Sequence, residues 1–372
     1  MPHRASTPDR LDQLTGVLLG AAVGDALGLP REGLSPQRAA RMYGSGPLQH
    51  RFLLGRGMLS DDAEHACMTA QALLAAPAPT PTLAPGDEAA FARSLGWRLR
   101  GWLAAMPAAV GWATLRAIMK LWMGFSPASS GVFSAGNGPA MRAPVIGACL
   151  ADAPARIGPM VRASTRLTHR DPRAEEGALA IALAAAHGVA RGPGGVDPGA
   201  LLDEIWGRVA GDELRRALDQ VGDHLARGAS PAEWARSVGL ARGVSGYMLH
   251  TVPAALMCWL SSPGDVARCV EEVILLGGDA DSTGAIVGAL AGATAGASAI
   301  PEPWLAGITD WPCSTRWMQR LGARLADHFG DAPATSGAAG PLPLFWPALP
   351  ARNLLFLGVA LAHGFRRMLP PY

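Results

Sequence analysis

Apolar residues recur at three- and four-residue spacing along most of the chain. That period belongs to helices. Val, Ile and Thr never dominate a long alternating stretch, so strand signals are weak. Residues 11–29, LDQLTGVLLGAAVGDALGL, predict a helix despite their glycines, and Pro30 ends it, leaving Glu32 in a loop. Further helical patterns cover 61–75, 88–123, 141–153, 173–191, 199–227, 231–239, 245–260 and 264–276. An apolar, Gly-rich helix follows Asp279-Ala280-Asp281-Ser282. Pro, Gly and Ser mark loops at 76–87, 124–140, 191–199 and 331–343. The expected fold is all-α: a compact domain over 11–330, then a loop and a C-terminal docking helix over 331–372 that stops at Pro370.

Two helices carry the same glycine device. Gly16, Gly20, Gly24 and Gly28 recur every four residues, as do Gly284, Gly288, Gly292 and Gly296. Each glycine costs up to about 1 kcal/mol of helix propensity. A regular stripe therefore implies close backbone approach between packed helices. The membrane use of such stripes is disfavoured by Asp25 and by the short apolar length.

Composition adds limits. The formal net charge of +2 demands neither nucleic acid nor membrane as partner. Five scattered cysteines with no CxxC pair argue against a disulfide framework and for buried thiols in a reducing compartment. The polar N-terminal stretch lacks the apolar core of a secretory signal. The late apolar run from Leu354 to Ala362 is too short to span a bilayer. A cytoplasmic monomer is expected.

The chemistry concentrates in two acidic clusters far apart in the chain, Ser60-Asp61-Asp62 and Asp279-Ala280-Asp281-Ser282. Taken singly, each is better read as a helix cap, since Ser caps and first-turn Asp both favour a helix start. Two such clusters, one introduced by Gly277-Gly278, shift the balance. Brought together they form an all-oxygen pocket whose carboxylates repel one another without a cation. Oxygen donors suit Mg²⁺, Mn²⁺ or Ca²⁺.

Other residues have local readings of their own. Glu32 by itself reads as an exposed loop residue, and Asp25, inside an apolar helix, needs a hydrogen-bond partner. Gly136-Asn137-Gly138 before a helix start can cradle a phosphate or diphosphate, a weak signal alone. His169 stands before Asp171-Pro172, near another helix start; His65 lies four residues after Asp61 and reads as a packing or capping residue. No GxSxG nucleophile elbow is present.

Together, GVLLGAAVGDALGLPRE, SDD at 60–62, GNGPAMR, THRDP and GGDADSTGAIVGALAGA resemble the ADP-ribosylglycohydrolase family, in that family's motif order across roughly 12–310. The resemblance implies a compact all-α fold with a site for two Mg²⁺ or Mn²⁺ between helix termini. By position, Ser60, Asp61, Asp62, Asp279, Asp281 and Ser282 match metal ligands. Glu32 matches an acidic residue of the loop after the first helix, and Glu32 or Asp62 would carry the proton. Ser134, Gly136, Asn137 and Gly138 match the loop holding diphosphate and distal ribose. His169 matches a contact to the ADP part, and Tyr247 a ring near adenine. Ser replaces Thr at both hydroxyl ligand positions, keeping an oxygen donor. Ala63 replaces a frequent Thr or Ser, and Phe133 stands where a small residue is common. The implied activity is removal of mono-ADP-ribose from a modified macromolecule, with arginine-linked substrate preferred. Serine-linked, nucleic-acid-linked and small-molecule substrates stay open. A non-catalytic ADP-ribose-binding homologue and a metal-dependent phosphoesterase are the alternatives.

Overall fold

The computed structural model describes residues 9–76, 86–330 and 340–371. Among these residues the protein is helical, with isolated bridges but no strand. The first helices in chain order are α1 (Arg10–Gly28), α2 (Pro36–Tyr43), α3 (Asp61–Leu74), α4 (Asp87–Ala104) and α5 (Trp112–Trp122). The middle of the chain forms α6 (Ala143–Cys149), α7 (Pro154–Arg166), α8 (Pro172–Arg191), α9 (Pro198–Arg208), α10 (Asp212–Ala226), α11 (Pro231–Ser237) and α12 (Met248–Ser261). The last are α13 (Val266–Leu275), α14 (Ala280–Ala295), α15 (Glu302–Gly307), α16 (Thr315–Phe329) and α17 (Leu349–Arg367).

The starts obey local chemistry. Ser60, Asp171, Asp197, Ser230, Asp265 and Ser314 each accept a backbone N–H in the first turn of the helix they cap. Two stretches that read as single helices are broken. Pro107 and Gly111 separate α4 from α5, and Gly211, the N-cap of α10, follows the end of α9. Ala105 and Val209 at the two gaps still face the core, while Met106 and Ala109 are exposed, which is where the helical pattern breaks. Helices α2, α7, α15 and α16 carry no reading from the sequence. The loop readings at 76–87 and 331–343 fall largely outside the described residues.

The centre is the pair α1 and α14, which run against each other along their whole length. Their glycine stripes interlock. A Cβ on Gly20 would lie 2.0 Å from the Gly288 carbonyl oxygen, and one on Gly288 would lie 2.1 Å from that of Gly20. Gly16 meets Gly292 and Gly24 meets Gly284 in the same way. Only hydrogen fits between these backbones, and α1 is buried on every side from Gln13 to Gly28. All five cysteines are buried and free.

Helix α17 docks on one side only. Leu349, Asn353 and Phe356 are buried, while Leu354, Leu361 and Phe365 face outward. Two helical stretches, Arg10–Arg31 and Trp346–Arg367, are long and apolar enough to cross a membrane by length and composition; the first is wholly buried in the core. The apolar character of the C-terminus thus extends beyond the run Leu354 to Ala362, because the helix includes the residues on both sides of it.

Candidate functional site

Packing α1 against α14 brings the C-terminal end of one beside the N-terminal end of the other. A Cβ on Gly28 would meet Ala280 and Asp281 backbone atoms within 2.6 Å. The loop after α1 is then pinned to the loop before α14: Gly33 N–H donates to Gly278 O at 2.7 Å, and Gly278 N–H to Leu34 O at 2.8 Å. On the other side of the same loop, Asp279 N–H donates to Val244 O at 2.7 Å. Gly277 and Gly278 adopt φ of 72° and 83°, and a Cβ on Gly278 would lie 2.0 Å from Val244 O. Glycine is required here by both conformation and space.

The first acidic cluster is set by α1 as well. Asp25 is fully buried, and its Oδ2 accepts N–H bonds from Ser60 at 2.8 Å and Ala63 at 3.1 Å. It thereby holds the start of α3, where Ser60 caps and Asp61 and Asp62 occupy the first turn. The two clusters meet directly: Ser282 Oγ donates to Asp62 Oδ2 at 3.1 Å.

Glu32, Asp61, Asp62, Asp279, Asp281 and Ser282 line one cleft of about 340 Å³. Its other wall carries Ser134, Gly136, Asn137, Gly138 and His169. Asn137 ties the walls together, donating from Nδ2 to Asp279 Oδ2 at 2.6 Å and Thr251 Oγ1 at 3.1 Å. The 132–137 loop is held by Val132 N–H to Thr168 O and Asn137 N–H to Gly246 O. Ser60 sits just behind the cleft as the cap. Tyr247 is placed differently: its backbone bridges to Gly136, but its ring packs edge-on against His250 at 5.2 Å and does not line the cleft. Phe133 points outward and is largely exposed.

The electrostatics are strained toward neutrality. Burial, then the charges of their neighbours, pushes Asp61, Asp62 and Asp281 well above the usual carboxylate range. Burial raises Asp279 and Glu32 too, and lifts Asp25 to about 7. Asp25 Oδ1, Asp62 Oδ1 and Asp281 Oδ1 have no hydrogen-bond partner among the described residues. Unpartnered, mutually repelling, all-oxygen donors fit a hard divalent cation such as Mg²⁺ or Mn²⁺. Among the described residues, however, no three His, Cys, Asp or Glu side chains form a ready-made cation cage.

His169 is buried and its pKa is lowered to about 3, by burial and then by Arg142. Neutral, its Nδ1 pairs with Thr168 Oγ1 at 2.9 Å. His65 packs edge-on against Trp102 at 4.7 Å, a structural position. Arg142 lies beneath this wall with no exposed surface, donating to Ser164 and Thr168. Its supporting role is absent from the sequence reading. So are Ala109 and Thr114, which line the cleft because the chain breaks between α4 and α5; Trp112, read from the sequence as a core or surface anchor, lines it too and is largely exposed. Pro107 and Gly111 were the available signal.

The chain is a helical protein with a carboxylate-rich cleft between helix termini, facing a Gly-Asn-Gly loop. Residues 6–334 match the family model for ADP-ribosylglycohydrolase, and the chain belongs to that family. It is 29% identical to the ADP-ribosyl-[dinitrogen reductase] glycohydrolase of Rhodospirillum rubrum over 310 residues, covering 80% of this chain and 91% of that protein. It is 30% identical over 311 residues to an uncharacterised protein of Archaeoglobus fulgidus, covering 80% and 92%. A solved structure described as an ADP-ribosylglycohydrolase-related protein complex superposes with a TM-score of 0.62 at 28% identity, covering 85% of this chain and 97% of that one. The family membership supports hydrolysis of ADP-ribose linkages.

Proposed function

We propose that this protein is a metal-dependent hydrolase that removes mono-ADP-ribose from a modified macromolecule, with arginine-linked ADP-ribose preferred. The observation that carries this reading is the convergence of Glu32, Asp61, Asp62, Asp279 and Asp281 on one cleft opposite the 134–138 loop. Ser60, Asp61, Asp62, Asp279, Asp281 and Ser282 would hold two Mg²⁺ or Mn²⁺. Bound there, the cations would supply positive charge to fix the ribose hydroxyls and acidify a water.

The chain's own residues do the rest. Glu32, raised by burial, takes or returns a proton at its carboxylate, with Asp62 as the second group able to do so. The 134–138 loop offers Ser134 and the Gly136 and Gly138 backbone to the diphosphate, while Asn137 holds that loop to Asp279. His169, kept neutral, presents an imidazole that adds no positive charge to the wall. Tyr247 stays a candidate for adenine only if its ring leaves His250. The name of the Rhodospirillum rubrum relative, an ADP-ribosyl-[dinitrogen reductase] glycohydrolase, supports a modified protein as substrate, and the preference for arginine rests on the family resemblance alone.

The test is a panel of arginine-, serine- and nucleic-acid-linked ADP-ribose, each incubated with Mg²⁺, Mn²⁺ or EDTA. Release of ADP-ribose chiefly from the arginine linkage, and only with metal, is expected. Calorimetric binding of ADP-ribose with no release from any linkage would instead establish a non-catalytic binding protein.

A further inference from the structure

Helix α17 lies beyond the end of the family match at residue 334. Its inner side is committed to the body. Arg352 pairs with Glu64 and Asp310, Asn353 Nδ2 donates to Ala105 O at 2.8 Å, and the ring of His363 stacks on Phe52 at 5.0 Å. Its outer side bears Leu354, Leu357, Leu361 and Phe365, one unbroken stripe at helical spacing; Leu354 is 71% exposed and Phe365 63%. A helix apolar on both sides does not belong in water on one of them.

A second apolar element stands beside it. Residues 51–56, Arg-Phe-Leu-Leu-Gly-Arg, turn back on themselves, with Leu53 N–H donating to Arg56 O and Arg56 N–H to Leu53 O. At the tip, Leu54 adopts a left-handed φ of 48° and is 97% exposed. Leu53, Leu54, Leu354, Leu355 and Ala362 border one open groove with Arg366 at its edge.

The charge around this face has one sign. Residues 33–60 and 340–371 contain no Asp or Glu. Arg51, Arg56 and Arg366 are exposed and have no carboxylate partner among the described residues. We propose that the outer face of α17 and the Leu54 turn form a peripheral docking surface for a bilayer carrying anionic lipid. The apolar stripe enters the headgroup–acyl boundary, and the arginines meet the anionic headgroups. The ion pairs and hydrogen bonds of the inner side keep the helix lying flat, so it rests on the bilayer instead of crossing it. A second copy fits less well, because an isologous contact would set this acid-free surface against itself.

The test uses full-length protein sedimented with vesicles of phosphatidylcholine alone, or mixed with phosphatidylglycerol. Wild type is expected to partition about tenfold more strongly onto the anionic vesicles, with the difference shrinking as salt rises. Leu361→Glu/Phe365→Glu should lose that binding, and Leu54→Ser should weaken it, both with unchanged circular dichroism and melting temperature. Failure of wild type to sediment with either vesicle would overturn the proposal. So would a dimer, seen by sedimentation equilibrium, that the double substitution splits: the face would then belong to a second copy.

Discussion

The substitution Gly20→Ala tests the packing that builds the site. The added methyl would stand 2.0 Å from Gly288 O and 2.7 Å from its carbonyl carbon. Both are backbone atoms of a buried helix and cannot rotate aside. Relief needs α1 and α14 to part by about 1.5 Å at this contact, since carbon contacts settle near 3.5 Å. Overpacking of this kind costs about 1–3 kcal/mol, and a backbone contact this short belongs at the upper end. Alanine returns about 1 kcal/mol of helix propensity. The net expectation is a loss of about 2 kcal/mol, a fall in melting temperature of roughly 2–3 °C for a chain of this length. Gly358→Ala is the matched control: it lies inside α17 with no heavy atom within 4 Å of the new Cβ, and should gain up to about 1 kcal/mol. Urea and thermal denaturation of the two variants decide the matter. If Gly20→Ala proves as stable as wild type, the close-approach argument fails.

Other substitutions test the supports around the cleft. Asp25→Ala should cost about 1–3 kcal/mol, because the buried N–H groups of Ser60 and Ala63 lose their acceptor; Asp25→Asn, which keeps an acceptor oxygen, should cost less, and equal losses in urea denaturation would contradict the assignment. Arg352→Met leaves Glu64 and Asp310 buried without their cation and should cost about 3–5 kcal/mol, read as a lowered denaturant midpoint at an unchanged slope. Burial holds His65 and His169 below the ordinary imidazole value, His169 at about 3. Their contribution to stability is therefore complete above the unfolded value of about 6.5 and declines below it, by up to about 1.4 kcal/mol per pH unit for each ring, as the unfolded chain takes up protons first. NMR at about pH 5 should find the His169 ring neutral; a protonated ring there would contradict its burial beside Arg142.

The parts legible in the sequence were those with a local cause. The Gly16 to Gly28 and Gly284 to Gly296 stripes announced close approach, and their places beside the two acidic clusters suggested a shared pocket, but the register in which Gly20 meets Gly288 was not legible, since stripe spacing carries no address. Ser60 and Asp279 both marked helix starts, but only Ser60 caps with its side chain; Asp279 makes no cap hydrogen bond and its Oδ2 accepts from Asn137 instead. Asp25 was recognisable as a buried acid in need of a partner, but that its partners are Ser60 and Ala63 depends on how α1 crosses α3. Arg142 and the wall from Ala109 to Thr114 stayed hidden for a related reason: α5 reads as a continuation of α4, and only the turn at Pro107 brings Thr114 to the cleft. The outward leucines of α17 gave the same apolar signal as an inward face would, because periodicity does not distinguish a covered stripe from an uncovered one.

The central claim is that the paired acidic clusters hold divalent cations on which ADP-ribose release depends. The most direct measurement is ADP-ribose release from an arginine-ADP-ribosylated protein after removal of metal with EDTA and again after restoring Mn²⁺ or Mg²⁺, with Mn²⁺ binding to Asp61→Asn and Asp281→Asn followed by calorimetry. No release in EDTA, recovery on adding metal, and lost Mn²⁺ binding in both variants with circular dichroism unchanged are expected. Undiminished release in EDTA would contradict it.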